Sequence, residues 1–247
     1  MAKLGTACCT PAPSYEYTEK GNEERFSGTE VYITRPDSSE ATSAVILISD
    51  VHGWKVPQLR KIGDAVAAAG LVALVPDFFQ GDSFVLNPDG SCFPDVDYWM
   101  ERHLPINSVG TLQSILEVLE SKGIMSYGIS GYCWGAKLAI EVEKARHSDA
   151  LKSLALLHPS FVTTEEYRGC RASTAILAAE IDHQMSMETL QVFKEALDSR
   201  KEVDSFVKVF PGVEHGWTTR YDFVNEAAAK AAHEACQDMI KWHKKYT

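Results

Sequence analysis

The sequence predicts an α/β fold: one mostly parallel central sheet with helices on both faces, in a single domain. Three observations carry that expectation. Strands and helices alternate from residue 29 onward, and that rhythm implies a parallel sheet covered on both sides. The strands are short apolar runs, which suits strands buried on both faces. The chain has 247 residues, 45% of them hydrophobic, a length that suits one large α/β domain. No linker, low-complexity block or internal repeat divides it. The domain is placed at residues 25–247, with residues 1–24 as an N-terminal tail.

The elements follow in order. Thr29 to Thr34 reads as an edge strand, stopped by Arg35-Pro36. The apolar run Ala44 to Ser49 reads as a buried strand. Pro57 to Ala69 reads as a helix, with proline near its start and Gly70 past its end. Leu71 to Val75 is the next buried strand, ended by Pro76. Residues 81–106 break the rhythm, mixing glycine, proline and aspartate with Phe84, Phe93, Tyr98 and Trp99. Excursions of this length are either functional flaps or Ω-loops packed on their own aromatics. Asn107 is placed as the cap of a helix to Lys122. Strand Ser126 to Ser130, helix Ala136 to Arg146, and strands Ser153 to Leu157 and Thr174 to Ala179 follow. Helix Ser186 to Arg200, strand Ser205 to Phe210 and a long helix from about Asn225 to Lys245 complete the pattern.

The net charge of −10 argues against a nucleic-acid or anionic-membrane partner, which would call for a basic patch. No apolar stretch is long enough to cross a bilayer. Met1 to Ser14 has neither the apolar core of a secretory signal nor an arginine to suggest a transit peptide. Six cysteines are sparse in a chain of this length, and apart from Cys8-Cys9 they lie far apart without a C-x-x-C pair. A reducing, cytoplasmic setting is expected. Cys8-Cys9 reads as a pair of idle thiols in the tail.

The most informative stretch is Tyr127-Gly128-Ile129-Ser130-Gly131-Tyr132-Cys133-Trp134-Gly135-Ala136-Lys137. A cysteine stands midway between two glycines, after a strand and before an amphipathic helix. This is the G-x-nucleophile-x-G elbow of α/β-hydrolases, with cysteine in place of serine. The plain alternative is a tight turn carrying an inert buried thiol. A thiol nucleophile needs a base, and the base needs an orienting group. In such hydrolases they follow in the order nucleophile, acid, histidine, each after a strand. Strand Thr174 to Ala179 runs into Glu180-Ile181-Asp182-His183, and strand Ser205 to Phe210 into Pro211-Gly212-Val213-Glu214-His215-Gly216-Trp217. Asp182 and His215 therefore follow Cys133 in the expected order, with Glu180 as a competing acid.

Strand Ala44 to Ser49 leads into Asp50-Val51-His52-Gly53-Trp54. The loop at this place supplies one oxyanion-hole N–H, and the residue after the nucleophile supplies the other. The candidates are Val51 and Trp134. Asp50 needs a partner, because a carboxylate at the end of a buried strand is costly alone. It is either a helix cap, a partner for a lysine, or the acceptor of the thiol proton that a neutral cysteine–histidine site requires. His147, His233 and His243 fall on helices and read as solvated. His158 precedes the acid and so stands in the wrong order. No cluster has zinc-ligand spacing and no glycine loop matches a phosphate fingerprint, so neither metal nor cofactor is expected.

On these residues the chain resembles the dienelactone hydrolase family (carboxymethylenebutenolidase-like), over about residues 25–245. Gly131-Tyr132-Cys133-Trp134-Gly135 is similar to the family elbow, and Asp182 and Glu214-His215-Gly216-Trp217 to its acid and histidine blocks. The resemblance implies Cys133 as nucleophile, His215 as base and Asp182 as orienting acid. Asp50 stands where bacterial members carry a glutamate that hydrogen-bonds the resting thiol. Arg220 matches one of two arginines that hold a substrate carboxylate, while Phe78-Phe79-Gln80-Gly81 offers no counterpart to the other. The expected function is cleavage of a small lactone or ester through an acyl-thioenzyme, with Trp54, Trp217 and the 81–106 segment sharing substrate binding. Two alternatives stand beside it: a non-catalytic small-molecule receptor, and a redox-sensing thiol, which would want a resolving cysteine near Cys133, a position the sequence assigns to neither Cys92 nor Cys170. The oligomeric state is not legible.

Overall fold

The strands are β1 (Asn22–Phe26), β2 (Thr29–Thr34), β3 (Ser43–Ile48), β4 (Val72–Pro76), β5 (Ser126–Tyr132), β6 (Leu151–Leu157), β7 (Ser173–Ile181) and β8 (Ser205–Glu214). In the computed structural model, which describes residues 17–38, 41–85, 96–146 and 148–247, they form one eight-stranded sheet ordered β1-β2-β4-β3-β5-β6-β7-β8. From β4 to β8 every pairing is parallel; β1–β2 and β2–β4 are antiparallel. The expected mostly parallel α/β sheet is the one observed. Cys8-Cys9, Cys92, Phe93, His147 and part of the 81–106 excursion lie outside the described residues.

The chain passes from β3 to β4 on one side, then returns to place β5 on the other side of β3. That reversal opens a crevice beyond the carboxyl ends of β3 and β5, where open α/β sheets bind ligands. The register makes the crevice specific. Ile48 pairs with Gly131 and Tyr132 with Leu157, so the loops after β3, β5 and β6 emerge together. Ile181 pairs with Glu214, which brings Asp182 beside His215.

The helices are α1 (Pro57–Ala68), α2 (Val96–Arg102), α3 (Val109–Ser121), α4 (Trp134–Ala145), α5 (Thr164–Gly169), α6 (Met187–Asp198) and α7 (Glu226–Tyr246). One core lies under α3, α4, α5 and α6, with Leu112, Ile115, Leu138, Ile140, Leu190 and Phe193 packed on Ile46, Ile129 and Leu156. The other lies under α1 and α7, with Leu59, Ile62, Val66, Ala235 and Met239 on Val45, Leu47 and Leu177. Each such aliphatic side chain, fully buried, contributes about 1.5 to 3 kcal/mol before the entropy of ordering it.

Several expectations are corrected. Thr29–Thr34 is not the edge: β1 pairs along its outer side, so the sheet begins at Asn22, within the segment expected as tail. β1 reads Asn-Glu-Glu-Arg-Phe and is largely exposed, a charged edge strand of the kind that resists pairing with other chains; its lack of alternation hid it. Asn107 does not cap α3. It lies inside a 3-10 turn, Pro105–Ser108, and the helix begins at Val109. Helix α5 has no counterpart in the periodicity, but its capping box is plain: Thr163 accepts from Glu166 N–H at 3.3 Å, and the Glu166 carboxylate accepts from Thr163 N–H at 2.9 Å.

His243 is the largest departure. It belongs to the buried stripe Ala232, Ala235, Met239 and His243 on α7, not to the solvated face. Its ring bridges Ser130 Oγ and Ser153 Oγ, each at 2.8 Å, across β5 and β6. Burial lowers its pKa from 6.5 to about 3. The unfolded chain therefore gains a proton as pH falls below 6.5, while the folded chain resists until about 3. Stability is full above that window and drops through it at up to about 1.4 kcal/mol per pH unit from this group. Denaturant melts at pH 7, 5 and 4 should show this decline. A His243→Gln variant should flatten it, and equal slopes in both proteins would remove His243 as the cause.

Candidate active site

Cys133 stands between β5 and α4 with φ 52° and ψ −109°, a strained backbone of the kind that marks a nucleophile turn. The flanking glycines are needed for space. A Cβ on Gly131 would lie 2.5 Å from the Ala136 Cα and the Gly135 carbonyl oxygen, and one on Gly135 would lie 2.3 Å from the Ile48 carbonyl oxygen. The turn thus presses α4 against the ends of β5 and β3. The Cys133 side chain is fully buried, its N–H donates to Leu157 O at 3.1 Å, and its Sγ lies 3.4 Å from Ser160 Oγ.

His215 and Asp182 meet as the β7–β8 register dictates. His215 Nδ1 lies 2.8 Å from Asp182 Oδ2 and 3.0 Å from Oδ1, with both side chains closed to solvent. Asp182 Oδ1 also accepts from Gln184 N–H at 2.8 Å, which fixes the carboxylate. Glu180 turns elsewhere and accepts from Gly212 N–H at 2.7 Å, where β7 and β8 change register. Burial pushes the His215 pKa down, but Cys133 and Asp182 push it up more strongly, to about 10. The site therefore favours an imidazolium facing the thiol, the charge state that lowers a cysteine's own pKa.

Asp50 and Arg220 form a buried ion pair, each side chain about 2% exposed. Asp50 Oδ1 accepts from His52 N–H at 2.9 Å, and Oδ2 from the Arg220 guanidinium and from Thr219 Oγ1 at 3.3 Å. Burial alone would raise the Asp50 pKa; Arg220, then His52, hold it below the usual carboxylate value. Arg220 is folded beneath the His215 loop, its Nη2 donating to His215 O at 3.5 Å. A Cβ on Gly216 would lie 2.0 Å from its Nη2, so glycine there leaves room for the guanidinium.

Val51 is buried near the start of the loop after β3, and its carbonyl accepts from Phe84 N–H at 2.8 Å. Trp134 opens α4, so its N–H belongs to the first turn, whose donors have no acceptor within the helix. Its indole donates to His103 O at 2.7 Å and packs against Phe79 with centroids 4.8 Å apart. Trp99 stacks on His103 at 4.4 Å, so the described part of the 81–106 excursion braces the elbow. Trp54 lies under the Arg60 guanidinium at 4.6 Å. Trp217 packs edge-on to His158 at 5.4 Å and against Phe210 at 5.3 Å.

His158 and Ser160 belong to the site although the sequence order discounted the one and did not single out the other. His158 is fully buried, its ring edge-on to His215 with centroids 4.8 Å apart, and its Nε2 lies 2.9 Å from Thr218 Oγ1. Burial, then His215 and Arg220, hold its pKa well below the ordinary value, so a neutral ring backs His215. The available signal was positional: both residues follow β6, the neighbour of the elbow strand. Among the described residues no group of three His, Cys, Asp or Glu side chains is disposed to hold a metal ion. No described helix is long and apolar enough to cross a membrane.

Comparison with known proteins identifies the family and the fold. A model of the dienelactone hydrolase family matches residues 29–247. The chain is 27% identical over 250 residues to a carboxymethylenebutenolidase homolog of Xenopus tropicalis, covering 100% of this chain and 99% of that one. It is 35% identical over 176 residues to an endo-1,3;1,4-beta-D-glucanase of Zea mays, covering 71% of this chain and 54% of that protein. A solved structure, a putative dienelactone hydrolase from Klebsiella pneumoniae, shares the fold with a TM-score of 0.74 at 16% identity, over 92% of this chain and 98% of that one.

Proposed function

The chain belongs to the dienelactone hydrolase family, hydrolases of ester and lactone bonds, and we propose that it cleaves a small lactone or ester by forming an acyl-thioenzyme on Cys133. The carrying observation is the strained Cys133 elbow together with the buried His215–Asp182 pair, whose 2.8 Å contact fixes which imidazole nitrogen is left for the thiol side. A His215 pKa of about 10 favours a thiolate–imidazolium pair at neutral pH.

In this reading the Cys133 sulfur attacks the substrate carbonyl carbon, and the Val51 and Trp134 N–H groups hold the oxyanion. Each such donor is worth about 3 to 4 kcal/mol at the transition state. As the C–O bond breaks, the His215 imidazolium gives its proton to the leaving oxygen. Neutral His215 then takes a proton from water, hydroxide attacks the thioester, and the C–S bond breaks to restore thiolate and imidazolium. Asp182 keeps the imidazole oriented throughout. Trp54, packed on Arg60, and Trp217, packed on His158 and Phe210, are buried and would meet the substrate only at their edges. An incoming carboxylate would compete with Asp50 for Arg220; with the thiol already ionised by His215, Asp50 is not needed as a proton acceptor.

The other readings fit less well. Burial pushes the Cys170 and Cys236 thiols to about 12, which makes both poor resolving partners for a redox switch. A receptor has no use for a base hydrogen-bonded to an orienting acid. Cleavage of a glucan needs two carboxyl groups flanking the bond, whereas Asp50 and Asp182 are committed to Arg220 and His215. The test is intact-mass detection of an acyl adduct on Cys133 across lactones, esters and thioesters, including matched pairs with and without a carboxylate. Adducts should form on Cys133, and Arg220→Ala should slow those from carboxylate-bearing members more than from neutral ones. Turnover of a substrate with no adduct on Cys133, even in rapidly quenched samples, would remove the covalent route.

A further inference from the structure

We propose that the Ser160 hydroxyl donates a hydrogen bond that holds the resting Cys133 thiolate, a role that rests on Cys133 being the nucleophile. Ser160 Oγ lies 3.4 Å from Cys133 Sγ, a hydrogen-bonding distance for a large sulfur atom, and the serine is 1% exposed. Its position is set by main-chain bonds. Ser160 N–H donates to Cys133 O at 3.2 Å while Cys133 N–H donates to Leu157 O at 3.1 Å, so residues 157–160 clasp the nucleophile from both sides. The turn bends sharply: His158 has φ 39° and Phe161 has φ 65°. Left-handed backbone at two residues other than glycine costs about 1 kcal/mol or more each.

The direction of the bond follows from the charge. A thiolate has no proton to give, so the hydroxyl must donate, and a hydrogen bond to an ion is roughly twice as strong as one between neutral groups. The titratable and charged groups around the thiol are His215 and Arg220 after β8, His158 after β6, Asp182 after β7, and Asp50 and His52 after β3. Asp50, which stands where the family resemblance expects a carboxylate on the resting thiol, has both oxygens engaged by Arg220, Thr219 and His52 N–H. Ser160 thus adds a second donor to the resting sulfur beside His215 and favours thiolate over thiol. When the S–C bond forms, the negative charge leaves sulfur and the hydrogen bond weakens, so the contact belongs to the free enzyme.

The test is the pH dependence of Cys133 alkylation by iodoacetamide, read by mass at the Cys133 peptide in the parent, Ser160→Ala and Ser160→Thr proteins. Ser160→Ala should move the alkylation midpoint up by about one pH unit, a tenfold lower thiolate fraction below the midpoint. Ser160→Thr should keep a midpoint close to the parent's, and kcat/KM of the alanine variant should fall at pH values below its raised midpoint. Ser160→Gly gives the same reading if the alanine variant does not fold. A midpoint unchanged or lowered in a folded hydroxyl-free variant overturns the proposal. Alkylation needs no turnover, so an active Cys133→Ala enzyme would sink the nucleophile assignment while leaving this measurement independently readable.

Discussion

Replacing Cys133 with alanine should lower kcat/KM for an ester or lactone by on the order of four orders of magnitude or more, with the fold intact. The thiol is fully buried, and loss of one sulfur atom from a tightly packed turn removes the chemistry with little effect on the backbone. His215→Ala should cost a comparable factor. The double variant should be little worse than either single one, because nucleophile and base act as a unit. Asp182→Asn should cost less, since it removes orientation and charge but keeps the imidazole. Glu180→Gln should be nearly silent, because Glu180 contacts Gly212 N–H and not the histidine. The pH profile adds a signed expectation. The His215 pKa is raised from 6.5 to about 10, so the imidazolium persists through neutral pH and is lost only as pH rises through about 10. The alkaline limb of kcat/KM should therefore lie near that value, and Asp182→Asn should move it to lower pH. A parent profile that falls already near pH 7 would contradict the ion pair, and an unimpaired Asp182→Asn beside a damaged Glu180→Gln would reassign the acid.

Adding a single methyl group at the elbow should be nearly as damaging, by a different route. In Gly131→Ala the new Cβ would stand 2.5 Å from the Ala136 Cα and the Gly135 carbonyl oxygen. In Gly135→Ala it would stand 2.3 Å from Ile48 O and 2.7 Å from Ser49 O. These obstacles are backbone atoms of a packed strand and helix, so no side-chain rotation relieves the contact. A displacement of α4 from β3 and β5 would open the core around Trp134 and Leu138, at about 3 to 5 kcal/mol, a large part of a domain's total stability. Denaturant midpoints should drop accordingly, and residual folded protein should show little turnover because Cys133 is misplaced. Gly169→Ala is a suitable control, since a Cβ there meets nothing within 4 Å. Equal midpoints for Gly131→Ala and the control would mean that the elbow is looser than its geometry implies.

Local sequence was enough for the alternation of buried strands and helices, and so for the parallel sheet, because burial on both faces leaves an apolar run that can be read residue by residue. The spacing of Gly131, Cys133 and Gly135 specified a strained turn by local sterics alone. The order of Cys133, Asp182 and His215 could be read because each follows a strand. What local sequence could not choose was partners. Asp182 and Glu180 are two residues apart, and the register of β7 on β8, with its irregularity at Ala179 and Ile181, decided which one meets His215. Asp50 and Arg220 are 170 residues apart, and only the meeting of the β3 and β8 loops joined them. His158 and Ser160 entered the site because β6 lies beside β5, and His243 became buried because α7 crosses that same pair of strands. Periodicity records which face of an element is covered. What covers it is set by long-range strand order and register, which only the folded chain brings into being.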